Sequence, residues 1–173
     1  MASDRARLGL VVAALGAALL AVSVFMPWYG ITITPAGAAY AQGALSDAAA
    51  RYGNANLQAE AATVGSSFSS VAGHQLGTVS AHQVLKTVSI VLLVLAALAG
   101  IGALLWLAEI ETPIEVSPGQ IATVGVLATL VVVFRMVDRP SGAEQLFALS
   151  LGWGSWLALL SSLAIVGGAA AAR

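Results

Sequence analysis

Four long apolar runs, set apart by one long polar stretch and two short ones, dominate the chain. They cover about 8–26, 84–108, 118–137 and 145–171. Crossing the roughly 30 Å hydrocarbon core of a bilayer takes about 20 helical residues, so each run is long enough to span. The last is longer than needed and predicts tilt or a frayed end. The pattern predicts an all-α fold: a four-helix transmembrane bundle in one domain, 1–173, with a long loop over 27–83.

Capping signals sharpen the helix starts. Ser80-Ala-His-Gln83, Ser117-Pro-Gly-Gln120 and Ser141-Gly-Ala-Glu144 stand before the second, third and fourth runs. Each has the capping-box form, in which Ser accepts from an early backbone N–H and Gln or Glu reaches back. Pro118 falls at the first helical position, where its missing N–H is no loss. In the long loop, Ser46 as N-cap and the Asp47/Arg51 spacing predict one short helix over 47–64. Leu57, Ala61 and Val64 would form its apolar stripe, and Gly53 would weaken it.

Composition agrees with a lipid environment. Of 173 residues, 59% are hydrophobic and 9% charged, against about a quarter charged in soluble domains. A net charge of −1 gives no electrostatic case for nucleic acid. With no cysteine, disulfides, thiolate chemistry and Cys-based metal sites are excluded. Abundant Ala and Gly, with Lys86 the sole lysine, suggest a high-GC bacterial source.

Four spans place both termini on one side. Arg5 and Arg7 before the first span favour a cytoplasmic N-terminus, although Arg51, Lys86, Arg135 and Arg139 then lie outside. The first helix is taken to set the orientation, in the plasma membrane. Ala39-Tyr40-Ala41 has a signal-cleavage form but stands about fifteen residues past the first run, too far for a signal peptide, so that run reads as an uncleaved anchor.

In an antiparallel bundle, one end gathers Trp28, Tyr29, His82, Lys86, Arg135, Asp138, Arg139, Glu144, Trp153 and Trp156. Arg135 closes the third run and is either an interfacial anchor paired with Asp138 or, with Arg139, a site for an anion or lipid headgroup. Trp28 and Tyr29 read as an aromatic belt, a docking patch or a cation–π shelf for Arg135. For Trp153 and Trp156, either the fourth helix projects above the membrane or one ring faces the interior. His74 and His82 lack companion ligands and read as surface or capping-turn residues. Glu109, Glu111 and Glu115 read as a solvated turn.

Ala13, Ala17 and Ala21, like Ala96/Gly100 and Ala99/Ala103, repeat at four-residue spacing and predict close helix contacts. No Walker loop, HExxH, GxSxG or nucleotide fingerprint occurs. Beyond Lys86 at the very start of the second run, Arg135 alone brings a charge into a span, and no acidic residue lies deep in one, which argues against a proton-driven transporter.

Phe-Met-Pro-Trp-Tyr at 25–29 and Phe-Arg-Met-Val-Asp-Arg-Pro at 134–140 resemble small four-helix membrane proteins of actinobacteria and their relatives. The plan also resembles that of claudins, by topology alone: the Gly-Leu-Trp string and paired cysteines of claudins are absent. Neither resemblance implies an activity. The expectation is a non-enzymatic accessory or structural membrane subunit, without cofactor or metal, that contacts membrane lipids and another membrane protein or its own copies. The contact candidates are Trp28, Tyr29, Arg135, Asp138, Arg139, Trp153 and Trp156. The alternatives are a lipid- or anion-binding protein using Arg135 and Arg139, and an oligomeric channel.

Overall fold

Small side chains decide where the long helices meet. The computed structural model describes residues 4–110, 116–138 and 146–173. Four helices in it are long and apolar enough to cross a membrane: α1 (Asp4–Ser23), α5 (Lys86–Leu107), α6 (Pro118–Val137) and α7 (Trp153–Ala171). Between α1 and α5 lie strand β1 (Pro27–Ile33), helices α2 (Pro35–Tyr52) and α3 (Ala55–Val71), strand β2 (Gln75–Ser80) and the short helix α4 (Ala81–Val84). Strand β3 (Phe147–Leu151) precedes α7. The helical class therefore holds, with a three-stranded sheet added to it that the periodicity did not announce.

The chain divides into two compact units. The first comprises 1–28, 79–139 and 151–173, and the second 29–78 and 140–150.

In the first unit the long helices pack as a ring, α1 on α5, α5 on α6, α6 on α7 and α7 on α1. Glycine marks every seam. A methyl at Gly9 would stand 2.5 Å from the Gly168 carbonyl oxygen, and one at Gly16 would stand 2.8 Å from that of Ser161. Gly100 faces Ala17, Gly102 faces Val116 and Ile121, and Gly125 faces Ile165 and Val166. Gly9/Gly168 and Gly16/Ser161 run in opposite chain directions, as do Arg7/Glu109 with Ala17/Gly100, Gly102/Ile121 with Val88/Val131, and Gly119/Arg173 with Gly125/Ile165, so neighbouring helices are antiparallel. Without a hydrophobic force between helices in lipid, such close approach supplies the van der Waals attraction that holds them.

The buried stripe of α1 is Ala6, Gly9, Leu10, Ala13, Gly16, Ala17, Leu20 and Ser23, while Leu8, Leu15, Leu19 and Val22 face outward. The same inversion recurs on α5, where Ala96, Ala99 and Ala103 are buried and Ile90, Leu98, Ile101 and Leu104 are exposed. In water, leaving each such large side chain out would forgo about 1.5–3 kcal/mol of burial. The distribution suits a surface covered by acyl chains.

The capping boxes at Ser80/Gln83 and Ser117/Gln120 are both formed, with reciprocal bonds of 3.0–3.4 Å. The first caps α4 rather than α5, because Leu85 leaves helical geometry between them (φ −124°, ψ 58°). The expectation for the fourth span is corrected. Residues 147–151 are strand, and α7 begins at Trp153 behind Gly152, which makes no side-chain cap. Ser141 and Glu144 lie outside the described residues. At the far end of α5, Ile110 N–H donates to the Leu105 carbonyl and Glu109 N–H to that of Trp106, with Glu109 left-handed at φ +52°. This is the Schellman arrangement, here with Glu where Gly is usual.

In the second unit, the expected helix at 47–64 is replaced by two. Thr34 caps α2: its hydroxyl accepts from Gly37 N–H at 2.9 Å and donates to the Leu146 carbonyl at 3.2 Å, and Pro35 occupies the first turn. Gly53, left-handed at φ +63°, ends α2, and Asn54 starts α3 by accepting from Asn56 N–H. Gly53 thus terminates a helix instead of weakening one. The two helices pack on each other where Gly65 meets the Gln42 side chain. Leu57 and Val64, expected on the apolar stripe, are exposed. Sheet order is β2-β1-β3. Both pairings are antiparallel: β1 against β3 from Trp28/Gly152 to Thr34/Leu146, and β1 against β2 through Ile33/Gly73.

Candidate functional site

The end of α1 explains the Trp-Tyr pair. After Ser23 the chain tightens, with Phe25 N–H donating to the Val22 carbonyl and Met26 N–H to that of Ser23. Helix C-termini leave carbonyls without intrahelical partners. The Trp28 indole Nε1–H also donates to the Ser23 carbonyl, at 2.8 Å. The ring is fully buried, and its Cδ1 would stand 2.6 Å from a methyl at Gly154. Gly152 is equally constrained, since a methyl there would overlap the Pro27 carbonyl. Trp28 is therefore a wedge between the end of α1 and the start of α7.

Tyr29, the first residue of the second unit, is also fully buried, in β1. The expectation that Trp28 and Tyr29 form a contact patch, belt or cation–π shelf is corrected by this burial. Burial of an indole with its N–H satisfied removes both its face and its donor from any partner.

Trp153 and Trp156 are the outward aromatics, 84% and 48% exposed. Because α7 starts at Trp153, both rings stand within its first turn, and neither lies deep in a span or faces the interior. With Leu151 and Gly152 they line a groove of about 410 Å³.

Arg135, near the end of α6, pairs with Asp138 through Nη1–Oδ2 at 3.6 Å. Its guanidinium lies 5.8 Å from the Phe134 ring centroid. Its side chain is 26% exposed. Thr87, Val88 and Val91 of α5 and Leu130, Val131, Phe134 and Arg135 of α6 line a second groove, of about 360 Å³. Arg139 lies outside the described residues.

His82 rests on Phe25, ring centroids 5.5 Å apart, and its backbone N–H donates to the Val24 carbonyl. Among the described residues no three His, Asp or Glu side chains gather as metal ligands. At the opposite end, Arg7 of α1 pairs with Glu109 at 2.7 Å, and a methyl at Gly119 would stand 3.3 Å from the Arg173 guanidinium. Glu111 and Glu115 lie outside the described residues.

The arrangement offers a tight helical core, an apolar outer surface and two grooves at the Trp28 end. No protein-family model, curated protein or solved structure matches the chain.

Proposed function

We propose that the chain is a non-enzymatic accessory subunit of the plasma membrane, which acts by contact with another membrane protein or with its own copies. In this reading α1, α5, α6 and α7 form a four-helix transmembrane bundle, and both termini are cytoplasmic, as Arg5 and Arg7 ahead of α1 favour. The observation that carries it is the poor burial of α2 and α3. The 18-residue α2 buries Gly37, Ala38 and Ala49, and the 17-residue α3 buries Gly65. Helices of this length draw most of their stability from tertiary packing of one face. Tyr40 and Tyr52 on α2 and Leu57 and Val64 on α3 are left exposed. A hairpin that meets so little of its own chain is suited to meet another.

The packing of the ring supports an accessory role over conduction. The α1–α7 seam is closed at backbone distance by Gly9, Gly16 and Gly168, and the α6–α7 seam by Gly125. A polar path would have to run between copies.

Native mass spectrometry of protein extracted gently from its own membrane tests the reading, comparing wild type with Leu57→Arg/Val64→Arg. Both positions are exposed, so the bundle is expected to survive the change. A defined assembly lost in the double variant supports the hairpin as the contact. An assembly that persists refutes the hairpin, and a purely monomeric wild type refutes the subunit.

A further inference from the structure

Exposed aromatic rings stand at one end of the helix bundle on three of its four corners. Phe25 follows the end of α1, Phe134 lies in the last turn of α6, and Trp153 and Trp156 occupy the first turn of α7. These positions share one level. A methyl at Gly154 would stand 3.0 Å from the Met26 carbonyl oxygen, which sets the start of α7 beside the end of α1. Thr87 and Val88, at the start of α5, line one groove with Phe134 at the end of α6. Phe25 packs on His82, just before α5. The fourth corner carries Lys86, exposed as the first residue of α5. At the opposite end, among the described residues, no aromatic side chain is exposed: Trp106 is half-buried, and Arg7, Glu109 and Arg173 provide charge instead.

We infer that these aromatics form a girdle that seats this end of the bundle in the headgroup and glycerol layer of a lipid bilayer, the indole N–H groups of Trp153 and Trp156 donating to lipid phosphate or ester oxygens. The inference rests on the reading of α1, α5, α6 and α7 as transmembrane helices; it adds the depth at which they stand and the residues that fix it. Three observations support it. Rings on several corners at one level suit a layer that surrounds the bundle, whereas a partner protein would cover one side. Trp28 spends its N–H on the Ser23 carbonyl, but neither exposed indole has a hydrogen-bond partner among the described residues. An indole with an open apolar face and a free donor is most stable where hydrocarbon meets water. The lengths also agree. Arg7 to Phe25, and Trp156 to Arg173, each rise about 25–27 Å along a helix, close to the roughly 30 Å hydrocarbon core. With the girdle at one boundary, the Arg7–Glu109 pair and Arg173 reach the other.

The chain has no cysteine, so single cysteines can carry a spin label without background. The full chain is reconstituted in phosphatidylcholine vesicles, and the accessibility of each label to oxygen and to a water-soluble nickel chelate reads its depth. Leu98→Cys, exposed near the middle of α5, is expected to lie in hydrocarbon. A water-exposed label there would refute the transmembrane reading itself. Labels at Phe25→Cys, Phe134→Cys and Trp153→Cys are expected at one common depth, at the phosphates. With Leu98 in hydrocarbon, any of the three in bulk water or in the hydrocarbon centre would overturn the inference. Shielding from both reagents would overturn it too, because a second copy would then cover that corner. Leu160→Cys, an exposed position one turn past Trp156, tests the anchoring. Beside both tryptophans it is expected to stay about 6 Å inside the phosphates in thin and thick bilayers alike. Trp153→Ala/Trp156→Ala, which changes exposed positions, is expected to let that depth drift with bilayer thickness. A depth that holds without the tryptophans would overturn their role.

Discussion

Alanine in place of Gly9 puts a methyl 2.5 Å from the Gly168 carbonyl oxygen and 3.1 Å from the Ala172 nitrogen. Ordinary van der Waals contact begins near 3.4 Å, so α1 and α7 must separate locally by about 0.9 Å (3.4 less 2.5). A gap of that size forfeits roughly a quarter to a half of each dispersion contact along the seam. Overpacking of a tight contact typically costs about 1–3 kcal/mol. Replacing a helical glycine returns up to about 1 kcal/mol through backbone entropy. The net destabilisation expected for Gly9→Ala is therefore about 0–2 kcal/mol, and about 1–3 kcal/mol relative to an Ala substitution that meets no neighbour. Gly167 supplies the control, because a methyl there has no neighbour within 4 Å, and Gly167→Ala is expected to be neutral or stabilising. The assay is unfolding in mixed micelles by titration with SDS, read by far-ultraviolet circular dichroism and by tryptophan emission. Gly9→Ala should unfold at lower SDS fraction than wild type, and Gly167→Ala at the same or higher fraction. Coincident transitions for the two variants would refute the claim that glycine contact holds this seam.

Three further predictions use the same unfolding assay. Trp28→Phe keeps most of the buried ring and leaves the Ser23 carbonyl only its Met26 N–H donor, and is expected to cost about 0.5–1.5 kcal/mol; Trp153→Phe, at an exposed position, should stay within about 0.5 kcal/mol of wild type. Ser117→Ala removes one half of the capping box of α6 and is expected to cost about 0.5–2 kcal/mol, with Ser117→Thr or Ser117→Asp recovering most of it. Ser161 is buried with no hydrogen-bond partner for its hydroxyl among the described residues, so Ser161→Ala is expected to be neutral or to stabilise by about 1 kcal/mol, and a loss above that would mean the hydroxyl is satisfied.

Four long apolar helices, the ends of α6, two capping boxes and the spacing of small residues on α1 and α5 were legible in the sequence, because each rests on local chemistry: apolar length, a Ser with Gln three residues on, Ala or Gly every fourth position. The signals for the second unit are local too. Thr34-Pro35 is an N-cap followed by a first-turn proline. Gly53-Asn54 is a C-terminal glycine followed by a new N-cap. Tyr29-Gly-Ile-Thr-Ile33 is aromatic and β-branched, and it became the central strand. Asp47 and Arg51 drew the expected helix to the middle of what are two.

What tertiary structure alone decided is which surfaces are open. Trp28 and Trp153 are the same residue type at the same end of the bundle, one fully buried and one 84% exposed. Nothing within five residues of either predicts that difference. It arises because Gly152 and Gly154, more than a hundred residues after Trp28, let the Pro27 carbonyl and the indole lie against the start of α7. Likewise the Arg135 groove needs the start of α5 beside the end of α6, and no local pattern encodes how far apart two helices stand. Hydrophobic length and caps act over a few residues and can be read along the chain. Burial and grooves depend on pairs of residues far apart in sequence, so they exist only once the helices have packed.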